Sequence, residues 1–136
     1  MASNLVIFDT SVLVAHLRTG CYQKRLDNLT GLLRTCSVVL AELWRGATTL
    51  EERKFLEDLA RNHPVLTPTE KNWLESGQLL GKIRARTGFT PEKLRDLHFD
   101  VLIALTARSY GARLITSNRA DFELISSYKK VDLEIW

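Results

Sequence analysis

Short unbroken apolar runs alternate along this chain with longer stretches whose apolar positions recur every three or four residues. That is the pattern of strands alternating with helices. Leu5, Val6, Ile7 and Phe8 form the first run, two of them β-branched, and predict a strand buried on both faces. The run stops at Asp9, and Thr10 or Ser11 then caps an amphipathic helix through Val12, Leu13, Val14, Ala15, His16 and Leu17. Over residues 22–33, Leu26, Leu29, Leu32 and Leu33 fall at helical spacing. Residues 36–40 are short, apolar and β-branched, and predict a second buried strand running into a helix over 41–46.

Thr49 is placed to cap the next helix, with Glu51 and Glu52 in its first turn and Leu50, Phe55, Leu56 and Leu59 as its buried stripe. Residues 64–68, bounded by prolines, suit a short edge strand. Thr69 caps a long helix to about Arg86, with Trp73, Leu74, Leu80 and Ile83 on one side and Gly77 and Gly81 suited to close helix packing. Pro91 opens a short helix ending near His98. A separate and thoroughly apolar helix runs from Asp100 to Tyr110, closed by Gly111. Arg113 to Thr116 form a strand, residues 117–122 a turn, and a short helix reaches about Ser126. Residues 131–136 alternate and form an outer strand. The order predicts one domain over 1–136, a three-layer α/β/α fold with a central parallel sheet.

Composition narrows this only slightly. The chain has 136 residues, enough for one core, and carries 19 Lys and Arg against 16 Asp and Glu, a net charge of +3. That excess is too small to announce nucleic-acid binding unless some acids are gathered in one pocket, leaving the remainder more basic. Arg18, Arg34, Arg45, Arg84, Arg86, Arg108 and Arg119 read mostly as solvated helix-face charges, though any at the rim of such a pocket could hold a phosphate backbone. Cys21 and Cys36 form no metal-binding or redox pattern and read as packing residues. The longest apolar run, Val101 to Leu105, is too short to span a bilayer, no leader is visible, and a reducing cytoplasm is the expected setting.

Four acids stand where the pattern calls for apolar or capping residues. Asp9 ends a buried strand, Glu42 follows another among apolar neighbours, Asp100 opens the buried helix, and Asp121 lies in the turn after Thr116. Taken singly, each reads as readily as a cap or a surface acid. In an open parallel sheet, however, strand ends and the helix starts that follow them gather along one edge, so these acids can converge. At an effective dielectric near 20, each pair about 4 Å apart then costs about 4 kcal/mol, which protonation or a bound cation must relieve. Oxygen donors without a His or Cys pattern select a hard ion such as Mg²⁺ or Mn²⁺. Such an ion suits phosphodiester hydrolysis, with Thr10, Ser11, Thr116 and Asn118 orienting ligands or water.

Four motifs appear in order. They are Phe8-Asp9-Thr10-Ser11; Val39-Leu40-Ala41-Glu42-Leu43 with Gly46; Asp100-Val101-Leu102-Ile103-Ala104 with Ala107; and Thr116-Ser117-Asn118 with Asp121-Phe122. Together they resemble the PIN-domain ribonucleases, and among these the VapC toxins of prokaryotic toxin–antitoxin pairs. The resemblance spans residues 8–122. It implies a Mg²⁺- or Mn²⁺-dependent endoribonuclease in which Asp9, Glu42, Asp100 and Asp121 form the acidic quartet and metal site, supported by Thr116 and Asn118. Asp96 is a second acid near the third motif, but Asp100 is the one in register. The resemblance also implies a protein antitoxin that inhibits the enzyme and a homodimer. Apolar side chains on the helices over 50–59 and 73–83 are available for such an interface or for the core. Residues 69–97 match nothing specific in the family, so the choice of RNA is not readable there.

Water is the expected nucleophile, because no Ser or Cys is accompanied by a His pattern. His16, His63 and His98 are isolated and read as surface or packing residues. An aspartyl phosphatase is a second reading of Asp9, weakened by Ser11 standing where that chemistry has another acid. A PIN-like binding module without catalysis is the non-enzymatic reading, and the intact quartet argues against it.

Overall fold

The computed structural model describes residues 4–136. Five strands form one sheet in the order β3-β2-β1-β4-β5, and every neighbouring pair is parallel. The strands are β1 (Leu5–Phe8), β2 (Leu32–Cys36), β3 (Val65–Leu66), β4 (Arg113–Thr116) and β5 (Leu133–Ile135). The helices between them are α1 (Thr10–Thr19), α2 (Gln23–Asp27), α3 (Ser37–Gly46), α4 (Leu50–Asn62), α5 (Glu70–Thr87), α6 (Pro91–Ser109) and α7 (Arg119–Tyr128). The chain moves outward from β1 to β3, then returns past β1 to β4. A crevice therefore opens between the carboxyl ends of β1 and β4, where open α/β sheets place their ligands.

Alternate residues of the two central strands feed two cores. Ile7 and Leu114 enter the larger one, with Leu43, Leu56, Ile83, Leu102 and Phe122 from the helices. Val6, Phe8 and Ile115 enter a smaller one with Val12, Tyr22, Leu26 and Trp136. The expected three layers and parallel sheet are present. The second helical layer is thin, because α2 has only five residues and Trp136 completes its cover.

Several expectations are corrected. The leucine spacing over 22–33 yields a helix only to Asp27, because Gly31, at φ +122°, turns the chain into β2. A Cβ at Gly31 would sit 2.8 Å from the Asn4 carbonyl oxygen, so no larger residue fits where β2 meets β1. Residues 37–40 accordingly begin α3, despite their β-branched character, and pack its buried side. In α4, Leu56 is buried but Leu50 is 81% exposed at the helix start. In α5 the buried side is Asn72, Ser76, Leu79 and Ile83, while Trp73 and Leu74 are exposed. Nothing lies within 4 Å of where a Cβ would stand on Gly77 or Gly81, so neither serves close packing. The two helices expected on either side of His98 are one, α6, with 19 residues. Cys36 is buried but Cys21 is exposed, so packing accounts for Cys36 alone. Among the described residues, no helix is long and apolar enough to cross a membrane.

Candidate active site

Asp9 leaves β1 at the crevice, its backbone N–H donating to the Ile115 carbonyl of β4. It is itself the N-cap of α1, where Thr10 or Ser11 was expected, with Oδ1 accepting the Val12 N–H at 3.3 Å. The Ser11 hydroxyl donates to the same oxygen at 2.7 Å, and the buried Thr116 hydroxyl donates to Oδ2 at 2.8 Å. The Thr116 hydroxyl also accepts the Asn118 N–H at 2.9 Å. Thr116 thus ties the end of β4 to the carboxylate at the end of β1. With Asp9 only 2% exposed, burial pushes its carboxyl pKa above the usual range, and these hydrogen bonds oppose the shift.

Glu42 lies on α3, half-buried, with Oε1 accepting from the Thr10 hydroxyl at 2.9 Å. Desolvation raises its pKa; the Thr10 hydrogen bond and Arg45, nearly a turn further on, pull the other way. Asp100 sits in the middle of α6 rather than at a helix start, so the helix dipole gives its charge no help. No side-chain hydrogen bond reaches it among the described residues. Burial, then the charges of Glu42, Asp9 and Asp121, push its pKa up to about 7, with Lys93 acting against them. Asp121 lies in the first turn of α7, where the dipole favours an anion, not in a free turn. Its Oδ1 is 3.1 Å from the Lys93 Nζ, and its Oδ2 accepts from the Asn118 side-chain amide at 3.1 Å.

Four elements therefore bring the four sequence-predicted acids into one electrostatic neighbourhood. Each of the four expected polar supports donates to one of them: Thr10 to Glu42, Ser11 and Thr116 to Asp9, and Asn118 to Asp121. Asp96 is exposed on α6, leaving Asp100 as the acid facing the group. Among the described residues, no three Asp, Glu, His or Cys side chains stand close enough to hold a metal ion as they are oriented. The donor set nonetheless fits a hard divalent ion: it is all oxygen, partly to fully buried, and carries four carboxylates against the one lysine in contact with them. Ligation requires the carboxylates to turn towards one another.

Two participants were not foreseen. Lys93 falls two helical turns before Asp100 on α6, a spacing that puts both on one face once the helix is known to be continuous. The Ser117 hydroxyl donates to Ser11 at 2.9 Å, and the Ser117 N–H donates to it at 3.2 Å, steadying the hydroxyl that holds Asp9. Of the histidines, His98 meets Ser76 at 2.9 Å and the edge of Trp73, a packing role. Arg84, Arg86, Arg108 and Arg119 lie exposed on helices, and Arg18 is exposed near the end of α1. Arg34 is half-buried on β2, with its guanidinium donating to the Leu33 carbonyl.

Comparison with known proteins agrees with this fold. The PIN domain family model matches residues 6–127. Solved structures that share the fold include the following three. VapBC-1 from nontypeable Haemophilus influenzae is 22% identical, covering 97% of this chain and 98% of that chain, with a TM-score of 0.70. DNA-bound VapBC from Salmonella typhimurium is 24% identical over 100% and 99%, with a TM-score of 0.72. VapBC2 from Rickettsia felis, bound to a DNA fragment from its promoter, is 22% identical over 97% and 98%, at 0.71. No curated protein sequence matches the chain.

Proposed function

This chain belongs to the PIN-domain family, and from that premise we propose that it is a VapC-like toxin, a Mg²⁺- or Mn²⁺-dependent endoribonuclease that hydrolyses RNA phosphodiester bonds. The observation that supports the reading is the gathering of Asp9, Glu42 and Asp121 around Asp100 at the β1/β4 crevice. Each of the three is held by a hydroxyl or amide donor, while burial and their charges push Asp100 up to about 7. Carboxylates in that state have a free-energy reason to take up a divalent cation.

In this reading Asp9, Glu42 and Asp100 would hold the ion, with Asp121 assisting from the start of α7. The chemistry a bound ion would supply is a lowered pKa for an attacking water and neutralised charge on the reacting phosphoryl oxygens. The chain's own residues prepare the site. Thr116 and Ser11 hold both oxygens of Asp9 in place, Thr10 holds Glu42, and the low-dielectric wall of α6 strengthens every charge interaction in the crevice. Asp100, with a pKa of about 7 when no ion is present, can hold or release a proton near neutrality. Water remains the nucleophile: both Asp9 oxygens already accept hydrogen bonds, which disfavours an aspartyl phosphatase. With these four of the 16 acids and Lys93 of the 19 basic residues withdrawn into the site, 12 acids remain against 18 basic residues, a balance suited to a polyanion.

A cognate antitoxin, a homodimer and a cytoplasmic setting belong to the same proposal. The antitoxin would lay a peptide across the crevice and place an arginine or similar cation among the carboxylates. Exposed Trp73 and Leu74 on α5 are available to a second copy, which light scattering on the purified chain would detect. The nuclease itself is tested by incubating metal-stripped protein with total RNA and sequencing the new ends. Cleavage that requires added Mg²⁺ or Mn²⁺ is the expected result, and equal cleavage in EDTA overturns the reading.

A further inference from the structure

Of the four acids, Asp121 alone is already neutralised by the protein. Lys93 approaches one of its oxygens at 3.1 Å while the Asn118 amide donates to the other at 3.1 Å. Among the described residues, Asp9 and Glu42 receive only hydroxyl and N–H donors, and Asp100 receives no side-chain donor. Lys93 is not a stray surface charge. It projects from the same face of α6 as Asp100, its attraction reaches that carboxylate, and its Nζ lies 5.8 Å from the centre of the Phe89 ring. What sets Asp121 apart is the charge of its partner: an ammonium group in contact with the carboxylate offsets its negative charge and repels a second divalent cation.

We propose that Lys93 takes the place of a second cation at Asp121, so that this site holds a single divalent ion on Asp9, Glu42 and Asp100. The inference rests on the metal-dependent reading above and refines it. Lys93 is a positioning residue here, acting through Asp121. The pair is partly exposed, 41% and 25% by side chain, so it is a contact that substitution can open without unfolding the core.

The test is a Mn²⁺ titration of the metal-stripped full chain at constant pH, read by calorimetry and by the electron paramagnetic resonance of free Mn²⁺. Wild type is expected to bind one ion per chain, and Lys93→Met two. Lys93→Arg, which keeps the charge, returns the count to one, as does Asp121→Asn added to Lys93→Met. Thermal melting confirms that each variant is folded, and Lys93→Gln replaces Lys93→Met should that variant fail to fold. An unchanged count of one in the neutral variant, or two ions in wild type, overturns the proposal. A wild-type chain that binds no Mn²⁺ overturns the metal-dependent reading itself, and the two failures are thereby distinguished.

Discussion

Helix α6 contributes to two polar clusters, and they are solved in opposite ways. Against α5, the buried Asn72 side chain donates to the Ser109 hydroxyl at 2.9 Å and accepts the Thr69 N–H at 3.0 Å. The Ser76 hydroxyl meets the Trp73 carbonyl at 2.6 Å and His98 at 2.9 Å. Every one of these partners comes from the same pair of helices, which is how buried polar groups in a structural interface are normally satisfied. Against the β1/β4 crevice, α6 instead presents Asp100 to three other acids and one lysine. The first cluster is closed and stabilises; the second is left open at a cost that only a function explains. A buried polar residue on α6 is therefore informative about chemistry only when its partners fail to complete it.

The largest effect that tests this contrast is expected at Asp9. Asp9→Asn keeps a side-chain oxygen for the Ser11 and Val12 donors but removes a charge from the crowded group. RNA cleavage should fall by about three orders of magnitude, the scale of losing a principal electrostatic contributor. Its melting temperature should hold or rise, because repulsion is relieved. Full activity in that variant would reduce Asp9 to a helix cap and make the two clusters alike.

Next is the pH dependence of the metal-free chain. Asp100 titrates at about 7 in the folded chain against 3.8 as its ordinary value, so the folded state binds more protons than the unfolded state between those limits. Stability contributed by its protonation is complete below about pH 4 and is lost as pH rises towards 7. Asp9 and Glu42 are raised as well and act in the same direction. The loss should approach about 4 kcal/mol for Asp100. Denaturant unfolding in EDTA from pH 4 to 8 reads it, and saturating Mn²⁺ should flatten the curve. A metal-free stability that rises over that interval would show the crevice to be as well satisfied as the α5–α6 interface.

The four acids were legible because each stands where the pattern calls for an apolar or capping residue. Glu42 and Asp100 nonetheless lie inside α3 and α6 rather than just after a strand or at a helix start, and Asp121 lies in the first turn of α7 rather than in a free turn. The parallel sheet followed from the alternation of elements. What the sequence concealed were features decided by tertiary contact. Leu32 and Leu33 continue a helical spacing from Leu26 and Leu29, yet Gly31 breaks the chain and β1 recruits them into a strand. Val38 and Val39 have strand character, but α3 buries them. Residues 97–100 contain neither Gly nor Pro, so nothing in them ends a helix; the change from an amphipathic to a wholly apolar pattern merely imitated a boundary. Once α6 was divided in two, the seven-residue spacing from Lys93 to Asp100 had no meaning, and the one lysine of the site stayed invisible.

A smaller expected effect concerns the support of Asp9. Thr116→Val preserves shape at a fully buried position but removes the donor to Asp9 and the acceptor of the Asn118 N–H. Losing a hydrogen bond that orients a ligand typically lowers metal affinity about 10–100-fold, and Mn²⁺ titration should show a loss of that order. Unchanged affinity would mean that Asp9 needs no positioning from β4. The crevice would then be a loose group of acids, not an arranged one.

The closed cluster supplies the opposite and smallest outcome. Asn72 takes part in the capping box of α5, its side chain accepting the Thr69 N–H while the Thr69 hydroxyl accepts the Asn72 N–H. Asn72→Ala removes the first of these bonds and leaves the Ser109 hydroxyl without its partner, while the Asn72 N–H to Thr69 survives. The cost should be about 1–2 kcal/mol of unfolding free energy, measured by denaturant titration. Cleavage per folded molecule and Mn²⁺ affinity should not change, since neither Asn72 nor Ser109 touches any of the four acids. If instead activity fell while stability held, the α5–α6 interface would be transmitting to the crevice through α6, and the separation between a structural and a chemical side of that helix would fail.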